Sequence, residues 1–414
     1  MAICGLDFGT SNSTVALPSG EVLEIDRDAV EARLFRSVLY FPEGEPGFFS
    51  GARAIREYLS QSEGRFIQSV KTWLPSPTFQ STQIRGRILR LQDLVAMLLR
   101  TLRLAAERES GLELSEVVLG RPAVFSTDPE REELAERRLR EAAELAGFVS
   151  VRFLIEPIAA ALSYEAGLDH DELVLVADFG AGTSDVTLMR LGPTRSGHAD
   201  RRADVIAVGG VSIGGDRFDA EIMRHKLLPY FGAGSTYEID GKRMPFPFHI
   251  SGKLLDWHEM SFIREKKTLE LLDRMLRGSD RVPAMEALED LVKENLGYRL
   301  FRAIEKTKIE LSHASESVIE FDEARVQIKE PITRKEFDQF TAPLLASLSE
   351  CVEDVLRRSG KEAERVDAVF LTGGSSQIPS VQRLFRDRFG ESRLRTADAF
   401  TSVAAGLGRS AGAT

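Results

Sequence analysis

Two kinds of hydrophobic pattern alternate along the chain. Short apolar runs bounded by Gly, Pro and Asp are typical of strands, whereas apolar residues three and four positions apart are typical of helices. The clearest helical pattern covers residues 91–109, where Leu and Val recur at that spacing. Asp128 followed by Pro129 predicts the N-cap and first residue of another helix. Together the two patterns predict an α/β protein.

The same reasoning gives bounds for the remaining elements. We predict strands at residues 3–6, 13–17, 21–25, 37–41, 117–119, 153–155, 173–177, 184–191, 205–208 and 368–371, and a hairpin of 318–321 with 326–328. We predict helices at residues 51–60, 91–109, 129–146, 158–165, 218–230, 254–276, 284–312 and 335–358, then two short helices. Residues 232–249 are rich in Gly and Pro and predict a loop or a small subdomain.

An internal repeat divides the chain. Residues 5–17 and 176–188 each contain a hydrophobic strand, then Asp-Phe-Gly, then a stretch of Gly, Thr and Ser, then an alternating strand. Asp7 and Asp178 occupy the same place in the two copies. The repeat predicts two related lobes, each beginning with a β-hairpin.

The chemistry of such hairpins favours a nucleotide. Glycines allow sharp turns whose backbone N–H groups can approach phosphate oxygens. Mg²⁺ takes one or two carboxylates together with water and phosphate oxygens, which suits an Asp at each strand end. One such hairpin alone is equally typical of an ordinary turn, but the pair favours magnesium–nucleotide binding. Glycine-rich strand-to-helix turns at residues 209–216 and 372–379 are further candidates for phosphate or ribose contacts.

Composition narrows the class of protein. The 414 residues are 43% hydrophobic and 29% charged, which excludes wholesale disorder. No apolar run is long enough for a membrane-spanning helix, and the N-terminus does not resemble a secretory signal. Cys4 and Cys351 are too few for a disulfide framework, and the six histidines share no metal-ligand spacing. The low cysteine count predicts a reduced, cytoplasmic protein. The net charge of −10 predicts no nucleic-acid or membrane partner.

Five motifs, in order, resemble the nucleotide-binding domain of DnaK-type heat-shock chaperones, within the actin-like ATPase superfamily. They lie at residues 5–13, 156–164, 178–186, 372–379 and 403–408. The resemblance implies an α/β actin-like ATPase fold, with two duplicated ribonuclease-H-like lobes around a central nucleotide cleft. It implies lobe I at residues 1–172 plus 392–414. Lobe II would cover 173–391, with an inserted helical subdomain at about 232–296.

The resemblance also implies roles for individual residues. Catalytic roles fall to Lys71, Glu156, Asp178 and Asp185, and magnesium ligation to Asp7 and Asp178. Contacts with ATP or ADP are implied for Gly9, Thr10, Ser11, Asn12, Gly180, Ala181, Gly182, Thr183, Gly214, Gly215, Glu305, Lys308, Ile309, Ser312, Gly373, Gly374, Ser375 and Gln377. Pro122 matches a position that couples the nucleotide cleft to a partner domain.

The sequence departs from the family at the base. Two arginines sandwich the adenine in chaperone relatives, and Ile309 and Gln377 stand at those positions. Ile can pack on a base but cannot form a cation–π contact, so base affinity and selectivity stay open. The chain stops soon after Gly408 without the family's apolar linker or peptide-binding domain. In this it resembles the YegD-type branch, whose members are mainly an ATPase domain.

The leading hypothesis is a chaperone-like protein that consists of a nucleotide-binding domain, binds ATP or ADP with Mg²⁺ and hydrolyses ATP slowly. Its partners would be an adenine nucleotide and an unidentified protein client or co-chaperone. A non-enzymatic nucleotide-dependent scaffold, or a filament-forming actin-like protein, is the alternative, favoured by the missing arginines and the insertion. A small-molecule kinase of the same superfamily is the third hypothesis, against which the chaperone-like motif at 156–164 argues.

Overall fold

The computed structural model describes residues 2–61, 63–196, 201–256, 260, 266–396 and 400–412. The strands are β1 (Ala2–Phe8), β2 (Asn12–Ala16), β3 (Phe35–Arg36), β4 (Val38–Pro42), β5 (Phe49–Ser50), β6 (Gly64–Gln68), β7 (Ser81–Ile84), β8 (Arg87–Arg90), β9 (Leu114–Arg121), β10 (Ser150–Ile155), β11 (Glu172–Phe179), β12 (Ser184–Leu191), β13 (Val205–Val211), β14 (Thr236–Ile239), β15 (Lys242–Pro245), β16 (Glu316–Glu323), β17 (Val326–Thr333), β18 (Ala368–Thr372) and β19 (Leu394–Thr396). The helices are α1 (Gly51–Gln61), α2 (Leu91–Ser110), α3 (Pro129–Leu145), α4 (Glu156–Glu165), α5 (Gly215–Ile222), α6 (Phe248–Leu255), α7 (Lys266–Gly278), α8 (Val282–Lys293), α9 (Gly297–His313), α10 (Arg334–Ser359), α11 (Pro379–Phe389) and α12 (Ser402–Gly412).

Two five-stranded sheets share one topology. The first has the order β10-β9-β1-β2-β3, and the second has the order β19-β18-β11-β12-β13. In each, the strand that opens the repeat pairs antiparallel with the next strand and parallel with a later one. The repeat in the sequence is therefore a repeat of the fold, as the two Asp-Phe-Gly segments predict.

Both repeated hairpins are set by their apolar strands. Val15 and Ala16 of β2 and Val174, Leu175 and Val176 of β11 are fully buried. These nearly continuous apolar runs are typical of strands covered on both faces. In the first sheet Leu6 and Phe8 lie in a core shared with α2, whereas Gly5, on the opposite face, lies against α12.

By their internal contacts, the described residues form two compact units. One comprises residues 1–215, 347–377 and 381–414, and contains both five-stranded sheets with α4 and α12. The other comprises residues 216–346 and 378–380, and contains α6 to α9 and the hairpins β14–β15 and β16–β17. Among the described residues, no helix is both long and apolar enough to cross a membrane.

Helices α4 and α12 pack backbone against backbone. A Cβ atom on Gly406 would lie 1.7 Å from the carbonyl oxygen of Ala159, so only glycine fits at this crossing. Ala159, Ala160 and Ala161 of α4 are fully buried. The close crossing fixes α4, whose first residue is Glu156.

Several predicted elements need correction. The predicted strand at 21–25 is wrong, because the segment forms only an isolated bridge between Val22 and Ala16. The bridge is closed by two backbone hydrogen bonds, from the Leu17 amide to the Glu21 carbonyl and from the Leu23 amide to the Val15 carbonyl (both 2.9 Å), and it does not extend into a ladder. The predicted helix at 284–312 is two helices, because Asn295 adopts a left-handed conformation (φ 58°) that interrupts the hydrogen-bond ladder. The helix predicted at 218–230 begins earlier as α5 and continues from Met223 as a π turn and a 3₁₀ turn.

Other differences come from turn residues. The stretch 232–249 contains the hairpin β14–β15, whose turn has positive φ at Asp240 and Gly241 (52° and 73°), as an Asp-Gly hairpin turn requires. The hairpin β7–β8 turns in the same way at Arg85 and Gly86 but was not predicted. Of the predicted helix 254–276, residues 254–255 end α6 and residues 266–276 lie in α7. Residues 257–259 and 261–265 lie outside the described residues.

Candidate functional site

The turns of the two repeated hairpins lie together. A Cβ atom on Gly182, in the turn between β11 and β12, would lie 3.6 Å from the Thr10 hydroxyl of the turn between β1 and β2. The first turn is tight, because a Cβ on Gly9 would lie 2.1 Å from the carbonyl oxygen of Asn12. The second closes through the Gly180 amide, which donates to the carbonyl of Thr183 (2.9 Å). The predicted phosphate-binding turns of the two hairpins therefore lie next to each other.

Ser37 holds the first turn from outside the hairpin. Its hydroxyl donates to the carbonyl of Gly9 (2.8 Å), and its amide donates to the carbonyl of Ser11 (3.0 Å). The Ser13 hydroxyl lies 2.8 Å from that of Ser37, and both residues are buried. The sequence analysis did not single out Ser37, since a lone serine before a strand carries no signal of this role.

A buried ion pair lies beside the hairpins. The amine of Lys71 donates to Oε1 of Glu156 at 2.6 Å, and both residues are 8% exposed. Lys71 lies on the 3₁₀ turn Val70–Trp73, and Glu156 is the first residue of α4, directly after β10. Two elements far apart in sequence thus deliver a cation and an anion to one position.

Three aspartates interact electrostatically with this pair. Asp7 lies next to the last residue of β1, Asp178 lies next to the last residue of β11, and Asp185 pairs with Asp178 across the β11–β12 ladder. Burial, and then the charge of Glu156, raise the pKa of Asp7 well above its usual range. The same two causes raise the pKa of Asp178 to about 8 and that of Asp185 to about 7.

The pKa of the Lys71 amine is also raised, but by the neighbouring carboxylates and against the effect of burial. Burial acts to lower the pKa of its amine, but the carboxylates of Glu156, Asp7 and Asp185 outweigh that effect and raise it. The amine is therefore a permanent cation at neutral pH. One buried lysine faces four acidic side chains, so the site as a whole is short of positive charge.

This donor set fits a magnesium ion that arrives with a nucleotide. Among the described residues, no three His, Cys, Asp or Glu side chains form a ready-made metal cage. Mg²⁺ needs only one or two carboxylates when phosphate and water supply the remaining oxygens. Asp7 and Asp178 are the residues that would hold it, and a divalent cation would offset the repulsion that raises their pKa values.

Asp185 is held in a defined orientation. Its Oδ1 accepts from the backbone amide of Ala123 (3.1 Å), and its Oδ2 accepts from the hydroxyl of Thr183 (3.3 Å). A Cβ on Gly210 would lie 2.9 Å from Oδ1, so a bare backbone is needed there. Sequence reasoning missed Ala123 and Gly210 as neighbours of Asp185, because one contact is made by a backbone amide and the other depends on a missing side chain.

The two other glycine turns lie against the second hairpin. A Cβ on Gly214 would lie 2.3 Å from the carbonyl of Ala181, and the Gly215 amide donates to the carbonyl of Gly180 (3.0 Å). Gly373 (φ 81°) lies against the backbone of Phe179. Gly374, Ser375 and Gln377 continue this turn as a short 3₁₀ helix, in which Ser375 is buried. Of these predicted adenosine-side residues, Gly214, Gly215 and Gly373 thus lie against residues 179–182.

The other predicted base and ribose residues lie on α9, in the second compact unit. The amine of Lys308 donates to Oδ2 of Asp219 at 2.8 Å, and both side chains are nearly buried. Glu305 accepts from Arg302, and the Ser312 hydroxyl donates to the carbonyl of Lys308 (3.3 Å). Ile309 is 54% exposed. The nucleotide roles of these residues stay predictions.

Comparison with known proteins gives a consistent result. The sequence profile of the family described as Hsp70 protein matches residues 76–245 and 285–413. The chaperone protein DnaK of Thermus thermophilus is 27% identical to this chain, over 99% of the chain and 60% of the relative. The chaperone protein DnaK of Thermosipho africanus is 29% identical, over 98% of the chain and 58% of the relative. The chain therefore spans about three fifths of the length of these relatives.

Proposed function

The chain belongs to the Hsp70 family and has its actin-like ATPase fold, and from this premise we propose that it binds ATP and ADP with Mg²⁺ and hydrolyses ATP slowly. The observation that carries the proposal is the convergence of the two repeated hairpins. A Cβ atom on Gly182 would lie 3.6 Å from the Thr10 hydroxyl, so the two turns approach each other. Asp7 and Asp178, on the first strands of these hairpins, both feel the charges of Lys71 and Glu156, which supports a shared site. A single hairpin of this kind would be an ordinary turn.

Each part of the site has a task in this proposal. The backbone amides and hydroxyls of the two turns would bind phosphate oxygens. Magnesium, when bound, would neutralise charge on those oxygens. The permanent cation on Lys71 would stabilise negative charge that develops on the transferred phosphoryl group. Asp185, held by Ala123 and Thr183, would orient the attacking water and accept its proton.

The structure also bears on the proposed lobes. The first sheet is built from residues before 172, whereas the second takes its strands from residue 172 onward. The second sheet includes β19 (Leu394–Thr396), which lies beyond the predicted lobe boundary at 391. We therefore propose two lobes with the first boundary near residue 172 and the last one after β19.

Turnover measurements test the catalytic proposal. Lys71→Met removes the cation and keeps an unbranched side chain, and Lys293→Met, at an exposed lysine paired with Glu289, is the matched control. We expect steady-state ATP hydrolysis to fall about a hundredfold in Lys71→Met, as for the loss of one electrostatic transition-state contact. ATP affinity should change less than threefold in that variant, and Lys293→Met should match wild type in both.

Two results would overturn parts of the proposal separately. Unchanged turnover in Lys71→Met would remove Lys71 from the catalytic set. Tight Mg²⁺-dependent ATP binding with no turnover in wild type would leave a nucleotide site without hydrolysis, as the scaffold hypothesis requires. A protein client or co-chaperone remains part of the proposal by analogy with the family, and Pro122, which precedes the Asp185 donor Ala123, would be where coupling begins.

A further inference from the structure

A buried arginine on another helix binds the stretch of chain that follows Lys71. Arg138, on α3, is 6% exposed. Its Nη1 donates to the carbonyls of Trp73 (3.2 Å), Leu74 (3.0 Å) and Ser76 (2.8 Å). Its Nη2 donates to the carbonyl of Phe79 (3.3 Å). Four carbonyls of one short stretch thus point at one guanidinium.

That stretch continues directly from the Lys71 turn. The Leu74 amide donates to the carbonyl of Lys71 (3.1 Å), while the Leu74 carbonyl accepts from Arg138. The turn begins at Ser69, which is buried and holds a left-handed conformation (φ 52°) that a residue with a Cβ adopts at a cost. The backbone around Lys71 therefore has an unfavourable conformation that neighbouring contacts must fix.

Arg138 is suited to fix it. Residues 74–80 lie between the 3₁₀ turn and β7 and belong to no helix or strand, so no ladder holds their carbonyls. Within the described ranges, no carboxylate lies at ion-pair distance from Arg138, so its charge is satisfied by carbonyl dipoles. A buried charge without such partners would be strongly destabilising. A guanidinium presents five donors in a rigid plane, which a lysine ammonium cannot reproduce.

We propose that Arg138 is a positioning residue for Lys71: by binding four carbonyls between residues 73 and 79, it holds the turn Val70–Trp73 in the conformation that delivers the Lys71 amine to Glu156. This inference rests on the proposed function only for its catalytic consequence. The positioning itself is a property of the protein without nucleotide and can be measured there.

Hydrogen–deuterium exchange of the nucleotide-free protein tests the positioning directly. Arg138→Met removes the donors, and Arg137→Met, at a largely exposed residue on the same helix, is the matched control. We expect amides of peptides covering residues 70–79 to exchange at least tenfold faster in Arg138→Met, with peptides covering 156–165 unchanged. Arg138→Lys keeps the charge and should give an intermediate rate. This variant decides the question if Arg138→Met does not fold.

Turnover tests the consequence. If Arg138 acts through Lys71, Arg138→Met should lower kcat at least tenfold with less than threefold change in ATP affinity. In the Lys71→Met background, Arg138→Met should then cause no further loss, because residues that act as a unit are not additive. A general structural defect would lower kcat by the same factor in both backgrounds, and this result would overturn the proposal.

The exchange experiment separates this proposal from the function on which it draws. Wild-type protein without ATPase activity would end the hydrolytic proposal, but faster exchange at 70–79 in Arg138→Met would still establish the clamp. Exchange in Arg138→Met or Arg138→Lys equal to that in Arg137→Met would overturn the clamp, whatever the turnover of wild type.

Discussion

The amine of Lys71 lies 2.6 Å from Oε1 of Glu156, and this buried pair interacts electrostatically with Asp7, Asp178 and Asp185. Lys71 comes from an irregular turn and Glu156 from the first residue of a helix that is wedged against α12. The ion pair can therefore form only when both the 3₁₀ turn Val70–Trp73 and the start of α4 are correctly positioned. The cluster contains one lysine and four acidic side chains, so its stability should depend on the balance of these charges.

Removing Lys71 should destabilise the nucleotide-free protein. Lys71→Met leaves Glu156 and its acidic neighbours without their cation, and loss of one partner of a buried pair costs about 3–5 kcal/mol of unfolding free energy. Urea unfolding in EDTA at pH 7.5 measures this, with Lys293→Met as control. The loss should shrink at lower pH, as the carboxylates take up protons. Equal stability of the two variants at pH 7.5 would contradict the prediction.

Neutralising Asp178 should stabilise the nucleotide-free protein. Because the pKa of this carboxyl is raised to about 8, its ionised form is disfavoured in the folded state. Asp178→Asn should raise the unfolding free energy at pH 8 in EDTA by about 1–3 kcal/mol. The same variant should lose Mg²⁺-dependent ATP binding.

The sign of the pH dependence follows from linkage. The native state binds the Asp178 proton more tightly than the unfolded state does, so this group's contribution to stability is complete below about pH 4, near its unfolded pKa, and is lost as pH rises to about 8. The Asp178→Asn variant should therefore show a shallower fall in stability over that range than wild type. A parallel fall in both proteins would contradict the assignment.

Gly406 should tolerate no side chain. Because a Cβ there would lie 1.7 Å from the Ala159 carbonyl, Gly406→Ala must separate α12 from α4. We expect a loss of at least about 3 kcal/mol of unfolding free energy, as for severe overpacking. Gly252→Ala is the control, since a Cβ at Gly252, on α6, meets no atom within 4 Å. Similar melting temperatures for the two variants would show that the crossing can relax.

Neither thiol should react in the native protein. Burial, followed by the charge of Glu107, raises the pKa of Cys4 to about 12, and burial, followed by the charge of Asp185, raises that of Cys351 to about 11. Labelling with a thiol-specific disulfide reagent at pH 8 should be about a hundredfold slower than for an exposed cysteine. Both should label quickly in guanidinium chloride. Fast labelling of the native protein would place a cysteine at the surface, against this structure.

Much of the fold and the two hairpins of the candidate site could be predicted from local sequence patterns, whereas the roles of Lys71 and Glu156 were implied only by the family resemblance. The repeated Asp-Phe-Gly segments predict both hairpins, because strand alternation and glycine turns are written in neighbouring residues. Asp128 and Pro129 predict the start of α3, where Asp128 accepts from the amides of Glu130 and Arg131.

Features that depend on distant backbone could not be predicted. The backbone amide of Ala123 binds Asp185, and Gly210 leaves room for Asp185 because it has no side chain. Arg138 is buried and binds backbone carbonyls, but in the sequence nothing distinguishes it from its exposed neighbour Arg137. Asn295 interrupts a helix whose apolar spacing continues on both sides. In each case the decisive partner is far away in the chain or is a backbone group, so the residue type alone carries no signal.

Calorimetric titration of the purified protein with ATP and ADP, with and without Mg²⁺, tests the central claim most directly. If the two hairpins form a magnesium–nucleotide site, both nucleotides should bind, and Mg²⁺ should strengthen binding at least tenfold in wild type but not in Asp178→Asn. Absence of binding by either nucleotide, or binding that is equally strong without Mg²⁺, would contradict the account.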